Sequence, residues 1–194
     1  MKPASAGFSL VKYCMININD CYQSTDLPPI PISYYYDALQ AAYRNPSQHK
    51  MPTKITTARC MRFERSLFGK KLMREFKNVA FDYMRFSPGT YYKFHKDLIN
   101  TRGTRLCGIN VLLSDSPDAT TLFKVGEQNS SMFMVKPVEY IRYQPILFNT
   151  QVEHSVLTLG TINRYTLAIT VYDQTYADML AYLNQLGPMD LSHY

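Results

Sequence analysis

The 194 residues and 46% apolar content suit one domain with one core, expected to span 1–194. Cys14, Cys21, Cys60 and Cys107 lack the C-x-x-C spacing of a zinc site, no apolar run approaches a membrane span, and no leader pattern opens the chain. The expectation is a soluble protein of a reducing, cytoplasmic setting, without a membrane. A net charge of +6 and a pI near 9.1 favour acidic partners. The lack of a glycine-rich phosphate loop argues against a nucleotide cofactor.

In chain order, LVKYCMINI reads as a strand through its β-branched residues, and the three prolines of DLPPIPIS make a connector. Tyr34 to Arg44 has helical spacing and stops at Asn45-Pro46. From Pro46 to Thr57 the chain is polar and loop-like. Ser66 to Lys77 forms a helix that offers Leu67, Leu72, Met73 and Phe76 for packing on the outside of a sheet. Within 54–77, Lys54, Arg59, Arg62, Arg65, Lys70, Lys71, Arg74 and Lys77 face only Glu64 and Glu75. That run is either a solvated helix face or a docking surface for a polyanion such as nucleic acid.

From Val79 the texture changes to short β-rich runs at 79–86, 90–96, 105–114, 119–124, 131–136, 138–149, 152–158 and 163–172, separated by turn signals such as Ser87-Pro88-Gly89. About eight strands at this spacing predict a mainly β jelly roll with flanking α-helices, in which 1–78 supports a β core over 79–173. DQTYADMLAYLNQLG then reads as a terminal helix within 174–194, with Asp173 as its N-cap and Gly187 just past its end.

The chemistry concentrates in YMRFSPGTYYKFHKD, residues 83–97. On a strand, His95 and Asp97 leave the same face, so an imidazole and a carboxylate can share one ion. They supply two thirds of a 2-His-1-carboxylate facial triad, the arrangement that leaves open positions on non-haem Fe(II). Of the other histidines, His49, His154 and His193, His154 lies in a β-rich run with Arg164 ten residues on. A guanidinium grips a carboxylate with two parallel hydrogen bonds, so Arg164 suits a dicarboxylate co-substrate. Asn110, in the apolar run LCGINVLL, either contacts a ligand or makes a structural hydrogen bond. Arg102 and Arg105 follow the H-x-D turn and either face substrate or lie on the surface.

At these residues the sequence resembles the 2-oxoglutarate/Fe(II)-dependent oxygenases, and YMRFSPGTYYKFHKD is similar to the corresponding run of their prolyl 4-hydroxylase branch, although that branch usually has lysine where Arg164 stands. The resemblance covers roughly 79–173 and implies a double-stranded β-helix, the cupin-like jelly roll. It implies His95, Asp97 and His154 as Fe(II) ligands, Arg164 on the distal carboxylate of 2-oxoglutarate, and Tyr92 on the same carboxylate. The competing reading of Tyr92 is an ordinary half-buried strand tyrosine. Tyr83 and Thr166 are further candidates for that pocket, and ascorbate is a further candidate cofactor. The implied reaction is a hydroxylation that releases succinate and carbon dioxide, with a peptidyl, prolyl-type side chain as the preferred substrate. The alternatives are a nucleic-acid base reached through the basic segment, a small metabolite, or a non-catalytic binding module.

Overall fold

A computed structural model describes residues 15–44, 55–97, 99–100, 102–115, 118–127 and 132–186. The N-terminal part contains β1 (Met15–Ile16), α1 (Ile18–Cys21), β2 (Tyr22–Ser24), α2 (Ser33–Arg44), β3 (Ile55–Arg59), α3 (Met61–Arg65) and α4 (Leu67–Glu75). Then follow β4 (Val79–Phe86), β5 (Thr90–His95), the small hairpin β6 (Ile99–Asn100) and β7 (Gly103–Thr104), β8 (Cys107–Leu112) and β9 (Ala119–Glu127). The chain continues through β10 (Met134–Pro137), β11 (Pro145–Asn149), β12 (His154–Thr158) and β13 (Arg164–Val171) to α5 (Tyr176–Gln185).

Besides the separate β6-β7 hairpin, the described strands form two larger antiparallel sheets. The major one has the order β2-β11-β8-β13-β4-β3, and the minor one runs β1-β9-β12-β5 with β10 also paired to β9. Each of the eight β-rich runs read from the sequence overlaps one of the strands β4, β5 and β8 to β13, the jelly-roll architecture that pattern predicts.

Strand β13 shows how the sequence divides the layers. All eight of its residues are buried, yet they alternate in kind. Tyr165, Leu167, Ile169 and Val171 join the apolar cluster beneath the helices, with Phe81 and Tyr83 of β4. Arg164 and Thr166 point the other way, into the space between the sheets. Side chains alternate faces along a strand, so this polar and apolar alternation fixes which face meets which layer.

On the helix side, Tyr34 and Ala38 of α2, Phe63 of α3, Phe68 and Leu72 of α4, and Met179 and Leu183 of α5 complete that core. Phe63, Phe68 and Leu72 are at most 1% exposed, and burial of each contributes about 1.5–3 kcal/mol. Ser66 starts α4 by accepting a hydrogen bond from Gly69 N. Gly69 sits where a Cβ would lie 2.0 Å from the Phe63 carbonyl oxygen, so α3 and α4 meet at backbone distance.

Several local expectations change. Residues 10–14 of LVKYCMINI lie outside the described residues. Met15 and Ile16 are strand, but Asp20 Oδ2 accepts from Asn17 N at 2.8 Å and the chain turns into α1 instead of extending. The loop expected through Thr57 gives way to β3 at Ile55, because this β-branched segment pairs with the edge of β4. The 138–149 run is strand only from Pro145, since Tyr143 adopts φ 68° in a turn. Thr175, not Asp173, caps α5 by accepting from Asp178 N. Asp173, at φ 61°, instead accepts from Thr104 N at 2.8 Å. Gly187 lies outside the described residues.

Candidate metal centre and its cavity

His95 ends β5 and His154 opens β12, and the two are direct partners across the antiparallel pair. One register irregularity separates that pair from Val156 and Tyr92, so β5 bends next to the site. Ser155 Oγ donates to the Tyr92 carbonyl at 2.7 Å within this irregular stretch. Asp97 follows two residues after His95, its own N–H bound to the Thr150 carbonyl at 3.0 Å.

The resulting cluster brings one ligand atom each from His95, Asp97 and His154 within 4.8 Å of one another. Asp97 Oδ1 lies 3.4 Å from His95 Nε2 and 3.7 Å from His154 Nε2. The Nδ1 of His95 meets the Lys93 carbonyl at 2.8 Å, and that of His154 meets the Val152 carbonyl at 3.0 Å. A carbonyl oxygen only accepts, so each Nδ1 carries a proton and each ring turns its Nε2 toward Asp97. Two imidazole nitrogens and one carboxylate oxygen thus converge, a donor set that suits a divalent cation. Burial lowers the pKa of His154, against the pull of Asp97 and the Val152 carbonyl, which keeps its imidazole neutral. Burial by itself would raise Asp97, but the contacts with His95 and Arg105 outweigh it and hold the carboxylate ionised.

The cluster opens into a cavity of about 200 Å³ lined on its apolar side by Ile55, Met84, Phe86, Phe148 and Val156. Arg164 lies at the start of β13, 2% exposed. Its Nη2 donates to Thr121 Oγ1 at 3.1 Å and to the Tyr140 hydroxyl at 2.5 Å, and these two hydroxyls lie 2.9 Å apart. Its Nε and Nη1 are buried with no hydrogen-bond partner. No carboxylate among the described residues pairs with this guanidinium. An unpaired buried cation costs several kcal/mol, so the site is built for an anion. The donor set and the orphaned guanidinium together fit a divalent metal and a dicarboxylate.

Of the remaining residues picked from the sequence, Tyr92, Asn110 and Thr166 line this cavity. Tyr92 packs its ring 4.2 Å from that of His95, at the metal end, and the phenol on Arg164 belongs to Tyr140. Tyr83 is not in the cavity. It shares the face of Phe81 toward the helices, because Met84 and Phe86 are the β4 partners of Thr166 and Arg164. Arg105 lines the cavity, with Nε 3.2 Å from Asp97 Oδ2. Arg102 lies apart, in a groove with Arg59 and Asp82.

Sequence reasoning missed Thr121 and Tyr140. Thr121 lay inside a recognised strand but carried no motif, and Tyr140 stood in a stretch read as continuous strand. The helices of the basic segment, α3 and α4, pack on the far face of the major sheet, behind the cavity. There Arg59 makes two bonds to Glu64, and Arg62 pairs with Asp37 at 2.9 Å over the Tyr34 ring.

No family model and no curated protein sequence matches the chain. Solved structures do. A Pseudomonas putida prolyl-4-hydroxylase is 12% identical at a TM-score of 0.58, over 79% of this chain and 91% of that one. A Trichoplax adhaerens prolyl hydroxylase, in complex with a hypoxia inducible factor peptide fragment, is 13% identical at 0.55, over 87% of each chain. The non-haem α-ketoglutarate-dependent epimerase SnoN of nogalamycin biosynthesis is 10% identical at 0.55, over 89% of this chain and 87% of that one. This chain therefore has the fold of the 2-oxoglutarate/Fe(II) oxygenases, and His95, Asp97 and His154 form within it a cluster that fits their metal.

Proposed function

We propose that this chain is a 2-oxoglutarate- and Fe(II)-dependent oxygenase that hydroxylates a C–H bond of a peptidyl, prolyl-type side chain. One observation carries the reading: a single cavity holds a three-donor metal cluster and a buried arginine that lacks an anion. The finer, peptidyl part rests on the likeness to the two prolyl hydroxylases, one of them bound to a peptide.

In this reading His95 and His154 give neutral nitrogen ligands and Asp97 one negative oxygen. The chemistry such a metal supplies is the oxidative decarboxylation of 2-oxoglutarate coupled to oxygen insertion into the substrate. Arg164 takes the distal carboxylate through Nε and Nη1, while Thr121 and Tyr140 hold Nη2 and fix the plane of the fork. The walls made by Met84, Phe86, Phe148 and Val156 limit water around these charges, which strengthens each interaction. The position of the basic helices behind the major sheet gives the nucleic-acid alternative no support from the cavity.

The test is anaerobic titration of Fe(II) and 2-oxoglutarate into the metal-free protein. The expected result is a weak visible charge-transfer band that disappears in Asp97→Ala. Folded protein that gives no band would refute the oxygenase reading. With the band in hand, proline-containing peptides should raise succinate output above the uncoupled background, and a screen in which none does so would remove the prolyl assignment.

A further inference from the structure

Resting on that reading of Asp97, we propose that Arg105 is a positioning residue for the metal centre: it occupies Asp97 Oδ2 and so presents Oδ1 alone to the ion. Arg105 Nε lies 3.2 Å from Oδ2, while both histidine Nε2 atoms converge on Oδ1. The contact is an ion pair short of an aligned hydrogen bond, since neither Nε nor Oδ2 has a hydrogen-bond partner. It is the only hydrogen bond or ion pair of the Arg105 side chain among the described residues. A free carboxylate can chelate a cation through both oxygens. A carboxylate with one oxygen held against a guanidinium favours binding through the other, and this leaves a further coordination position for exchangeable ligands.

The surroundings of Arg105 hold this arrangement from three sides. Its carbonyl accepts from Thr150 Oγ1 at 2.7 Å and from Gln151 Nε2 at 2.9 Å, and the same Gln151 amide reaches the Asp97 carbonyl at 3.2 Å. Thr150 also holds Asp97 directly, its carbonyl accepting from Asp97 N at 3.0 Å. The Thr150-Gln151 turn, just before His154, thus ties the backbones of Asp97 and Arg105 together. Beneath the guanidinium lies Gly108, where a Cβ would meet Arg105 Nη2 at 3.0 Å and Nε at 3.4 Å. The glycine leaves the floor on which the guanidinium rests. Substitution of groups that orient a metal ligand typically lowers metal affinity about 10–100-fold, which sets the expected size of the effect.

The test uses Co(II) as a probe on the full chain, with binding read by calorimetry and ligand geometry by the visible spectrum. Arg105→Gln should weaken Co(II) binding about 10–100-fold and change the spectrum. Arg105→Lys, which keeps the charge, should recover part of both, and Gly108→Ala should give a smaller loss with Arg105 intact. In an Asp97→Ala background, Arg105→Gln should cause no further loss of affinity. Wild-type affinity and spectrum in folded Arg105→Gln would overturn the proposal while leaving the oxygenase reading in place. If Arg105→Gln does not fold, unchanged affinity and spectrum in both Arg105→Lys and Gly108→Ala overturn it equally. Wild-type protein that takes up no Co(II) would overturn the oxygenase reading and this inference with it.

Discussion

Replacing Arg164 by methionine should separate stability from ligand response. Wild-type Arg164 is 2% exposed, with two hydrogen bonds on Nη2, no partner on Nε or Nη1, and ring contacts to Phe86 and Tyr140 at 5.5 and 4.8 Å. Desolvation of an unpaired guanidinium costs several kcal/mol. The two charge-assisted hydrogen bonds return about 1.5–3 kcal/mol each and the ring contacts about 0.5–1 each. The terms nearly cancel, and Thr121 and Tyr140 keep each other as partners after the substitution. Ligand-free Arg164→Met should therefore change stability by no more than about 2 kcal/mol in either direction, a melting shift within about 8 °C for a chain of this size. Ligand response should differ sharply. At 2-oxoglutarate a hundredfold above its dissociation constant, the wild type gains about 2.7 kcal/mol, or about 5–10 °C. Arg164→Met should gain nothing. The assay is a thermal melt with and without 2-oxoglutarate, anaerobically with metal present. A ligand-free melting point more than about 10 °C below wild type would show that Arg164 is a paired structural charge. A preserved ligand-induced shift would show that the carboxylate binds elsewhere.

Three further outcomes follow from the same geometry. Tyr140→Phe removes one acceptor from Arg164 Nη2 and should weaken 2-oxoglutarate binding about tenfold or more, read by the same melt or by calorimetry; unchanged affinity would remove Tyr140 from the site. Gly69→Ala would normally gain about 1 kcal/mol in a helix, but its Cβ meets the backbone of Phe63 and cannot rotate away, so the melting point should fall by at least about 6 °C. Burial raises the Cys60 thiol from 9.0 to about 11 and also raises Tyr34 and Tyr83, so the folded state keeps protons that the unfolded chain releases. The stability tied to Cys60, about 3 kcal/mol at 1.36 per pH unit, is fully present below pH 9.0 and is lost as pH rises through about 11. Denaturant midpoints measured at pH 8 and pH 11 should show the fall, and equal midpoints would contradict it.

The metal cluster was legible because its residues are rare types at a spacing with a geometric meaning: His95 and Asp97 stand two apart, and His154 is one of only three other histidines. The jelly roll was legible because alternation and turn residues recur from Val79 onward. What escaped was whatever depended on contacts far along the chain. Tyr140 reaches Arg164 only because the chain turns at Tyr143 before β11. Tyr83 was misplaced because the parity of β4 is set by its pairing with β13, and that register was not visible within β4 itself. β3 looked like loop because its strand character comes from its partner on the sheet edge. Arg105 was noticed, but only the fold puts its guanidinium on the second oxygen of Asp97.

Strand β13 has a consequence for how this protein can change over time. Its odd-numbered residues complete the core under the helices, and Arg164 and Thr166 face the cavity. Deleting or inserting one residue in the strand would exchange the two faces for every position beyond it, putting hydroxyls against Phe63 and Leu72 and apolar side chains into the cavity. A one-residue change of length in β13 is therefore tolerated only where a bulge absorbs it, as one does in β5. Variation in chemistry has to arrive by substitution on the cavity face alone, or through loops that feed the site from outside the strand.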